Sequence, residues 1–146
     1  MSQFITLEDY DASIHREILD ALLRHDSDIE DSAIIEICED RAIEEMTGYM
    51  DKFYDCEAIF NATGAERNQL VLMMALDITI YHIYCQHNPY KISQMRKDRY
   101  DRAVEWLKAV AAGKITIANA PRLPEEEQAA NSPWQIASEV LRPTHF

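Results

Sequence analysis

The feature that most constrains the fold is the apolar segment LVLMMALDITIYHIY, which spans residues 70–84. Hydrophobic side chains occupy nearly every position, so a helix built from this segment is apolar on almost every face and needs packing partners on several sides. Its longest uninterrupted apolar run, Leu70 to Leu76, is far shorter than the roughly 20 residues of a membrane span. The sequence therefore predicts a buried central helix, which ends near His87 because Pro89 disfavours helix at the residue before it.

Two capping-box sequences predict where the first helix and the central helix begin. Thr6 to Asp9 and Thr63 to Glu66 both have the Ser/Thr-x-x-acid spacing of a helix start. Behind the first of them, apolar residues recur at helical spacing to about His25. We therefore expect a first helix to about residue 25 and a central helix that opens at Thr63.

The second and the fourth predicted helices carry amphipathic stripes with steps of three and four residues. The second runs from about Ser32 to Phe53, and Gly48 inside it predicts a closely packed partner. The fourth runs from about Ser93 to Ala112, with Gly113 at the position of a left-handed C-cap. Its predicted buried stripe is Met95, Tyr100 or Arg99, Ala103, Trp106, Leu107 and Val110. We predict an all-α fold, a bundle of about four main helices formed by residues 1–114.

Residues 115–146 are predicted to form an irregular, extended, Pro-rich C-terminal arm. Four prolines break any long element, but the arm also carries apolar side chains at Trp134, Ile136, Val140, Leu141 and Phe146. Such a segment either wraps over its own domain or becomes ordered on a neighbouring molecule, and the sequence does not favour one over the other. A short helix at about 133–141 fits both alternatives.

The net charge of −12 is spread unevenly along the chain. Residues 1–60 contain 17 acidic and 4 basic residues, whereas residues 61–146 contain 9 acidic and 10 basic residues. The acidic half would repel a polyanion, so we expect no direct sequence-specific nucleic-acid binding. An acidic and a basic segment on one chain attract each other, within one subunit or between subunits.

Asp77 interrupts the central apolar segment, and its role decides how the chain is interpreted. A lone buried carboxylate is unfavourable unless it is paired. If the central and fourth helices form an antiparallel hairpin around Pro89, position 77 faces about position 102, where Arg99 and Arg102 can reach it. We predict a structural ion pair of Asp77 with Arg99 or Arg102, in preference to a catalytic carboxylate.

The motifs of most enzyme classes are missing from the sequence. It contains no nucleophile elbow, Ser-His-Asp pattern or Gly-rich nucleotide loop. His82, Cys85 and His87 form the one cluster with metal-ligand character. His82 and Cys85 share a helix face, but His87 points elsewhere and no second cluster completes four ligands. We therefore expect no catalysis, cofactor or metal. The alternative is a small cytoplasmic regulatory or ligand-binding protein, or a metal-dependent protein that uses Asp77, His82 and Glu45.

The cysteines and the N-terminus bear on the cellular compartment. Cys38, Cys56 and Cys85 are odd in number and lack paired spacing, which is typical of a reducing cytoplasm. The N-terminal residues MSQFITLEDYD lack the basic and apolar regions of a signal peptide. We expect a protein that does not enter a membrane.

Three stretches of the chain resemble a family of proteins from Mu-like phages and prophages. They are AIEEMTGYMDKFYD, LDITIYHIY and RYDRAVEWLKAVAAGKI, which match in order the family patterns A-x-x-E-[IM]-x-G-Y-[LM], D-I-A-x-Y and R-Y-x-x-A-x-x-W-L-x-x-x-x-x-G. The resemblance covers about residues 4–117, and the closing NSPW…HF is similar to tails of members from Bacteroides-type prophages. Thr79 departs from the pattern, where alanine is usual.

This resemblance implies a small helical phage structural protein, similar to the head–tail connectors of the neck or adaptor type that assemble into rings. The partners it implies are further copies of the chain and other phage head and tail proteins. The implied location is the virion, and the host cytoplasm during assembly. Subunit contacts are expected between an acidic and a basic group of residues and through the arm, at Glu36, Glu39, Asp40, Glu44, Arg96, Lys97, Trp134 and Phe146. The alternative is that these charges pair within one subunit or face water.

Overall fold

The fold is all-α, as predicted. The computed structural model describes residues 4–14, 31–87 and 89–130, and helices are the regular structure of these segments. We number the helices α1 (Leu7–Ser13), α2 (Asp31–Met50), α3 (Cys56–Asn61), α4 (Gln69–His87), α5 (Gln94–Ala111) and α6 (Glu125–Ala130); 3-10 turns cover Gly64–Glu66 and Pro89–Lys91. None of these helices is long and apolar enough to span a membrane.

Helix α4 is the centre of the bundle, as the apolar segment predicts. It packs against α2, α5 and α1, and α2 also contacts α5. Every residue from Met74 to Ile80 is buried, including the polar Asp77 and Thr79. The Thr79 hydroxyl donates to the Ala75 carbonyl at 2.7 Å, so the helix satisfies this buried hydroxyl internally. Because residues 74–80 leave no face free, the neighbours of α4 must cover this central part all round.

The start of α4 differs from the prediction. The Thr63 to Glu66 segment forms a 3-10 turn, and the Thr63 side chain makes no capping hydrogen bond. The helix begins at Gln69 instead, where Asn68 Oδ1 accepts the N–H groups of Leu70 and Val71, both at 3.1 Å. Asparagine is among the best N-caps, and here it satisfies two donors that the helix leaves free.

Helix α2 ends at Met50 rather than at Phe53, and a further short helix, α3, follows it. The Asp55 side chain caps α3 by accepting the Ala58 N–H at 3.1 Å. The prediction that Gly48 marks a close packing partner was wrong, because a Cβ atom there would meet nothing within 4 Å. This face of α2 is exposed to solvent.

The bounds of α5 agree with the sequence to within a residue. Ser93 caps its first turn, with its Oγ accepting the Arg96 N–H at 3.2 Å. Gly113 follows the helix with φ +75°, the left-handed conformation predicted for it. The predicted buried stripe is wrong at one position: Met95 is 53% exposed, and Arg96 is buried in its place.

Helix α1 begins where predicted and ends much earlier. The Thr6 N–H donates to Asp9 Oδ2 at 2.7 Å, as in a capping box. Ile14 has extended backbone, with φ −144°, and ends the helix after Ser13. The predicted continuation to about His25 lies largely outside the described residues, as do the predicted helix at 133–141, Trp134 and Phe146.

The first part of the predicted C-terminal arm wraps back over the bundle. The Tyr54 hydroxyl accepts the Ile117 N–H at 2.7 Å, and Ile117 is buried. Tyr54 also forms an isolated antiparallel bridge with Arg122, whose guanidinium lies 5.5 Å from the Tyr54 ring centroid. Asn68 donates to the Ala118 carbonyl at 2.9 Å, so the residue that caps α4 also binds this segment. Residues 115–123 of the predicted arm therefore pack on their own domain, which is one of the two alternatives for the arm.

Tyr54→Phe tests how the wrap is held. The variant leaves the Ile117 N–H without its partner in a buried place, so we expect the free energy of unfolding to fall by about 1–2 kcal/mol. Amide exchange at Ile117 should accelerate in the same variant. Tyr49→Phe is the control, since the half-buried Tyr49 donates no hydrogen bond to the described residues. Equal losses from both variants would contradict the assignment.

Candidate functional site

Asp77 meets Arg102 in the structure. Arg102 Nη2 donates to Asp77 Oδ2 at 2.7 Å; the Asp77 side chain is 5% exposed and that of Arg102 is 51% exposed. Arg99 is half-buried and makes no hydrogen bond to Asp77. The antiparallel pairing of α4 and α5 therefore brings position 77 to position 102. The carboxylate is held by a guanidinium that reaches in from solvent, an arrangement that joins two helices.

A second polar contact joins α2, α4 and α5. Glu45 uses both carboxylate oxygens: Oε1 accepts the Tyr100 hydroxyl at 2.9 Å, and Oε2 lies 3.0 Å from His82 Nε2. Burial, with the hydrogen bond to Glu45, raises the pKa of Tyr100 above its usual range. The Tyr100 ring stacks on Tyr81, with the ring centroids 3.9 Å apart. The Glu45 carboxylate thus connects the three helices through its two contacts.

The structure does not assemble the ligand set of the metal-protein alternative. Glu45 and His82 meet, but Asp77 is bonded to Arg102 and lies five positions before His82, which puts it on a different face of α4. Cys85 is exposed, and the His87 side chain lies outside the described residues. Among the residues that can be described, no three His, Cys, Asp or Glu side chains are grouped so that they could hold a metal ion.

Tyr10 and Glu39 form a buried pair that sequence reasoning missed. The Tyr10 hydroxyl donates to Glu39 Oε1 at 2.6 Å and so joins α1 to α2; the two residues are 1% and 6% exposed. Burial raises the pKa of the Glu39 carboxyl to about 7, against the lowering effect of the Tyr10 hydrogen bond, and the neighbouring Asp40 and Glu36 raise it further. The pKa of Tyr10 is raised as well, mainly by burial.

Arg96 fixes the other end of α1. It is 6% exposed, and its Nη2 donates to the carbonyl of Ser13, the last residue of α1. Burial, together with the positive charge of Arg99, lowers the pKa of Arg96. Its Nη1 is buried and has no hydrogen-bond partner among the described residues. Cations suit the C-terminal end of a helix, although α1 is too short for this effect to be large.

The burial of Glu39 and Arg96 alters the predicted subunit contact. Both side chains are enclosed and bonded within one subunit, so they cannot reach a neighbour while the fold is intact. Asp40, Glu44 and Lys97 are exposed, and Glu36 is half-buried. The prediction that charged residues of α2 and α5 meet across an interface therefore stays open for the exposed members only.

Arg67 is a further residue that the sequence did not single out. Its guanidinium pairs with both oxygens of Asp9 and donates to the Phe4 carbonyl at 2.7 Å, and its Nε donates to the Gly64 carbonyl at 2.9 Å. Burial alone would raise the pKa of the Asp9 carboxyl, but the hydrogen bonds from Arg67 and Thr6 outweigh it and hold the pKa below its usual value. Arg67 and Asp9 lie 58 residues apart in sequence, so no spacing pattern could have predicted this pair.

A shallow depression lies between α1 and α4. Its volume is about 170 Å³, and it is lined by Asp9, Ala12, Ser13, Gln69, Leu72, Met73 and Leu76. Pockets that enclose small organic ligands usually measure at least about 300 Å³. Its walls carry one carboxylate, already bonded to Arg67, so the depression offers little to recognise a substrate.

Arg102→Met tests whether the ion pair is structural. The variant strands a buried carboxylate, so we expect the free energy of unfolding to fall by about 2–3 kcal/mol, less than for a fully buried pair because water can replace an exposed guanidinium. Adding Asp77→Leu should recover most of the loss, since no charge is then stranded. Denaturant unfolding measures both effects. Arg99→Met serves as the control and should cost no more than about 0.5 kcal/mol.

Glu39→Gln tests the raised pKa. Because the folded-state pKa of Glu39 lies above that of an unfolded carboxyl, the folded wild type holds an extra proton between about pH 4.5 and pH 7. The stability that Glu39 contributes is therefore fully present at low pH and is lost as the pH rises through this window. The Gln variant lacks the effect, so it should gain about 3 kcal/mol relative to wild type as the pH rises through the window. Parallel pH profiles for Glu39→Gln and wild type would contradict the assignment.

Comparison with known proteins assigns the chain to a family. No curated protein matches it. The model of the family described as bacteriophage Mu, Gp36 matches residues 4–135, which includes the three stretches that carry the phage resemblance and all the described helices. The chain therefore belongs to the bacteriophage Mu Gp36 family.

Proposed function

We propose that this protein is a structural subunit of the phage particle, a head–tail connector of the neck or adaptor type that assembles into a ring and performs no catalysis. Family membership supplies the phage setting. The observation that carries the structural role is that three buried or half-buried carboxylates each join different helices. Asp77 bonds to α5, Glu45 joins α2 to α4 and α5, and Glu39 holds α1.

This pattern supports a building block better than a reactive site. A general base needs a lone pair that faces substrate, and a nucleophile needs an adjacent base. Both oxygens of Glu45 have partners, and Asp77 has a guanidinium at hydrogen-bond distance. Each contact spans different helices, so each stabilises the relative position of the elements.

The proposed partners are further copies of this chain and other phage head and tail proteins. The proposed location is the virion, with the host cytoplasm as the site of assembly. A net charge of −12 opposes binding to the phosphate backbone. In a ring between head and tail, an acidic lumen would let duplex DNA pass without adhering to the wall.

Deletion of the gene from a phage that carries it tests the connector role. Electron micrographs of lysates should show filled heads and separate tails, because the bridge between them is missing, and joined particles should reappear when the wild-type gene is supplied in trans. Mass spectrometry of purified wild-type virions should detect the protein. If the deleted phage yields joined, infectious particles, the connector role is overturned, and a changed expression pattern with intact particles would instead favour a regulatory protein.

A further inference from the structure

The turn between α4 and α5 exposes an aromatic and cationic surface. Tyr90, in the 3-10 turn Pro89–Lys91, is 97% exposed, and Met95 in the first turn of α5 is 53% exposed. Lys91 follows Tyr90 in the turn, and Lys97 lies in the first turn of α5; both are exposed. We call Tyr90, Lys91, Met95 and Lys97 the hairpin tip. Large apolar side chains left in solvent, with charged residues close in sequence, are typical of a surface that binds a protein.

The outward side of α2 has the opposite charge. Ile37 is 40% exposed, and Asp40 and Glu44 are exposed one and two turns further along, with Glu36 half-buried beside them. We call Glu36, Ile37, Asp40 and Glu44 the acidic face. Arg41 is the one cation that the helix exposes next to it, so three carboxylates stand against one guanidinium. An isoleucine at the centre of a charged face is the pattern of a small apolar contact with a polar rim.

The described residues do not neutralise the charges of these two surfaces. None of Asp40, Glu44, Lys91 and Lys97 makes an ion pair within the described part of the chain. As far as the described residues go, both surfaces can therefore offer these charges to a partner.

The two surfaces lie at one end of the bundle but on different sides of it. Cys38 Sγ is 3.6 Å from Gln86 Oε1, which puts the start of α2 beside the end of α4, next to the turn that carries the hairpin tip. The acidic face is exposed because it points away from α4 and α5, whereas the hairpin tip belongs to those two helices. A contact between these surfaces therefore joins two molecules, not one.

We propose that the hairpin tip of one subunit docks on the acidic face of a second copy of this chain. Tyr90 and Met95 pack around Ile37, and Lys91 and Lys97 face Asp40 and Glu44. Because the two surfaces differ, the contact is head-to-tail, and repetition closes it into a ring when the rotation per subunit divides a full turn. This inference deepens the proposed function and rests on it for the identity of the assembly.

The two kinds of side chain contribute differently to such an interface. A tyrosine combines a large contact area with few rotatable bonds, and aromatic anchors dominate the binding energy of interfaces. Charges at a rim mainly set the partner and the association rate, and salt screens them. Self-association should therefore weaken as the salt concentration rises, and it should weaken further when Tyr90 is shortened.

Charge reversal with an exchange test decides the proposal. The face variant carries Asp40→Lys with Glu44→Lys, and the tip variant carries Lys91→Glu with Lys97→Glu. Each variant alone has two surfaces of like charge, but an equimolar mixture offers opposite charges at both contacts. By sedimentation velocity at about 50 mM salt, wild type should self-associate, each variant should do so at least about tenfold more weakly, and the mixture should recover assembly.

Matched controls separate this effect from net charge. Glu125→Lys with Glu126→Lys changes the net charge as the face variant does, and Lys108→Glu with Lys114→Glu matches the tip variant; all four positions are exposed. Both controls should associate as wild type does, and Tyr90→Ser should weaken association. Circular dichroism shows whether each variant is folded.

The outcomes distinguish the interface from the connector role. A wild-type protein that stays monomeric at every soluble concentration overturns the proposed interface, as does a mixture of folded variants that fails to assemble. If the exchange succeeds but deletion of the gene leaves joined particles, the interface stands and the connector role falls. If deletion separates heads from tails but the charge reversals have no effect on assembly, the connector role stands and this interface falls.

Discussion

A helix that is apolar on every face must be covered on every side, and α4 imposes that condition on the rest of the chain. α2, α5 and α1 supply the cover. Apolar packing is strong but non-directional, so by itself it does not fix how far one helix slides along another. The polar contacts supply this register: Arg102 on Asp77 sets α5, and the Glu45 contact with His82 sets α2. Both anchoring residues of α4 lie within or beside its apolar segment, where a displaced partner would leave them unpaired.

The parts of the fold that could be predicted are those with local signals. The central helix follows from its own composition, and α5 from Ser93, its stripe and Gly113, all of which act within a few residues. The start of α4 could not be predicted in the same way, because two possible N-caps, Thr63 and Asn68, lie close together in the sequence. Thr63 to Glu66 is the better motif, but the next residue, Arg67, is bound to Phe4 and Asp9, and the helix starts only after it.

The same limit applies to the polar contacts. Asp77 with Arg102 was accessible from the sequence, because a hairpin converts distance along the chain into opposition between two helices. Tyr10 with Glu39 was not, since their segments meet only through the tertiary fold. Periodicity also placed Met95 inside and Arg96 outside, and the structure reverses them because the guanidinium reaches the Ser13 carbonyl. A count of charged residues in the sequence therefore overestimates how many of them are exposed to a partner.

The wrap of residues 115–123 lies at one end of the helix bundle, and the turn between α4 and α5 lies at the other. Tyr54 and Asn68 bind it where α2 ends and α4 begins, and Gly113, which precedes it, lies against the Phe53 ring. The chain thus enters α6 at the pole opposite the turn between α4 and α5. Helix α6 is therefore reached from that pole, whereas the proposed contact between subunits lies at the other. Substitutions in α6 should therefore leave contacts at the opposite pole unchanged, because distant sites that share no partners act independently.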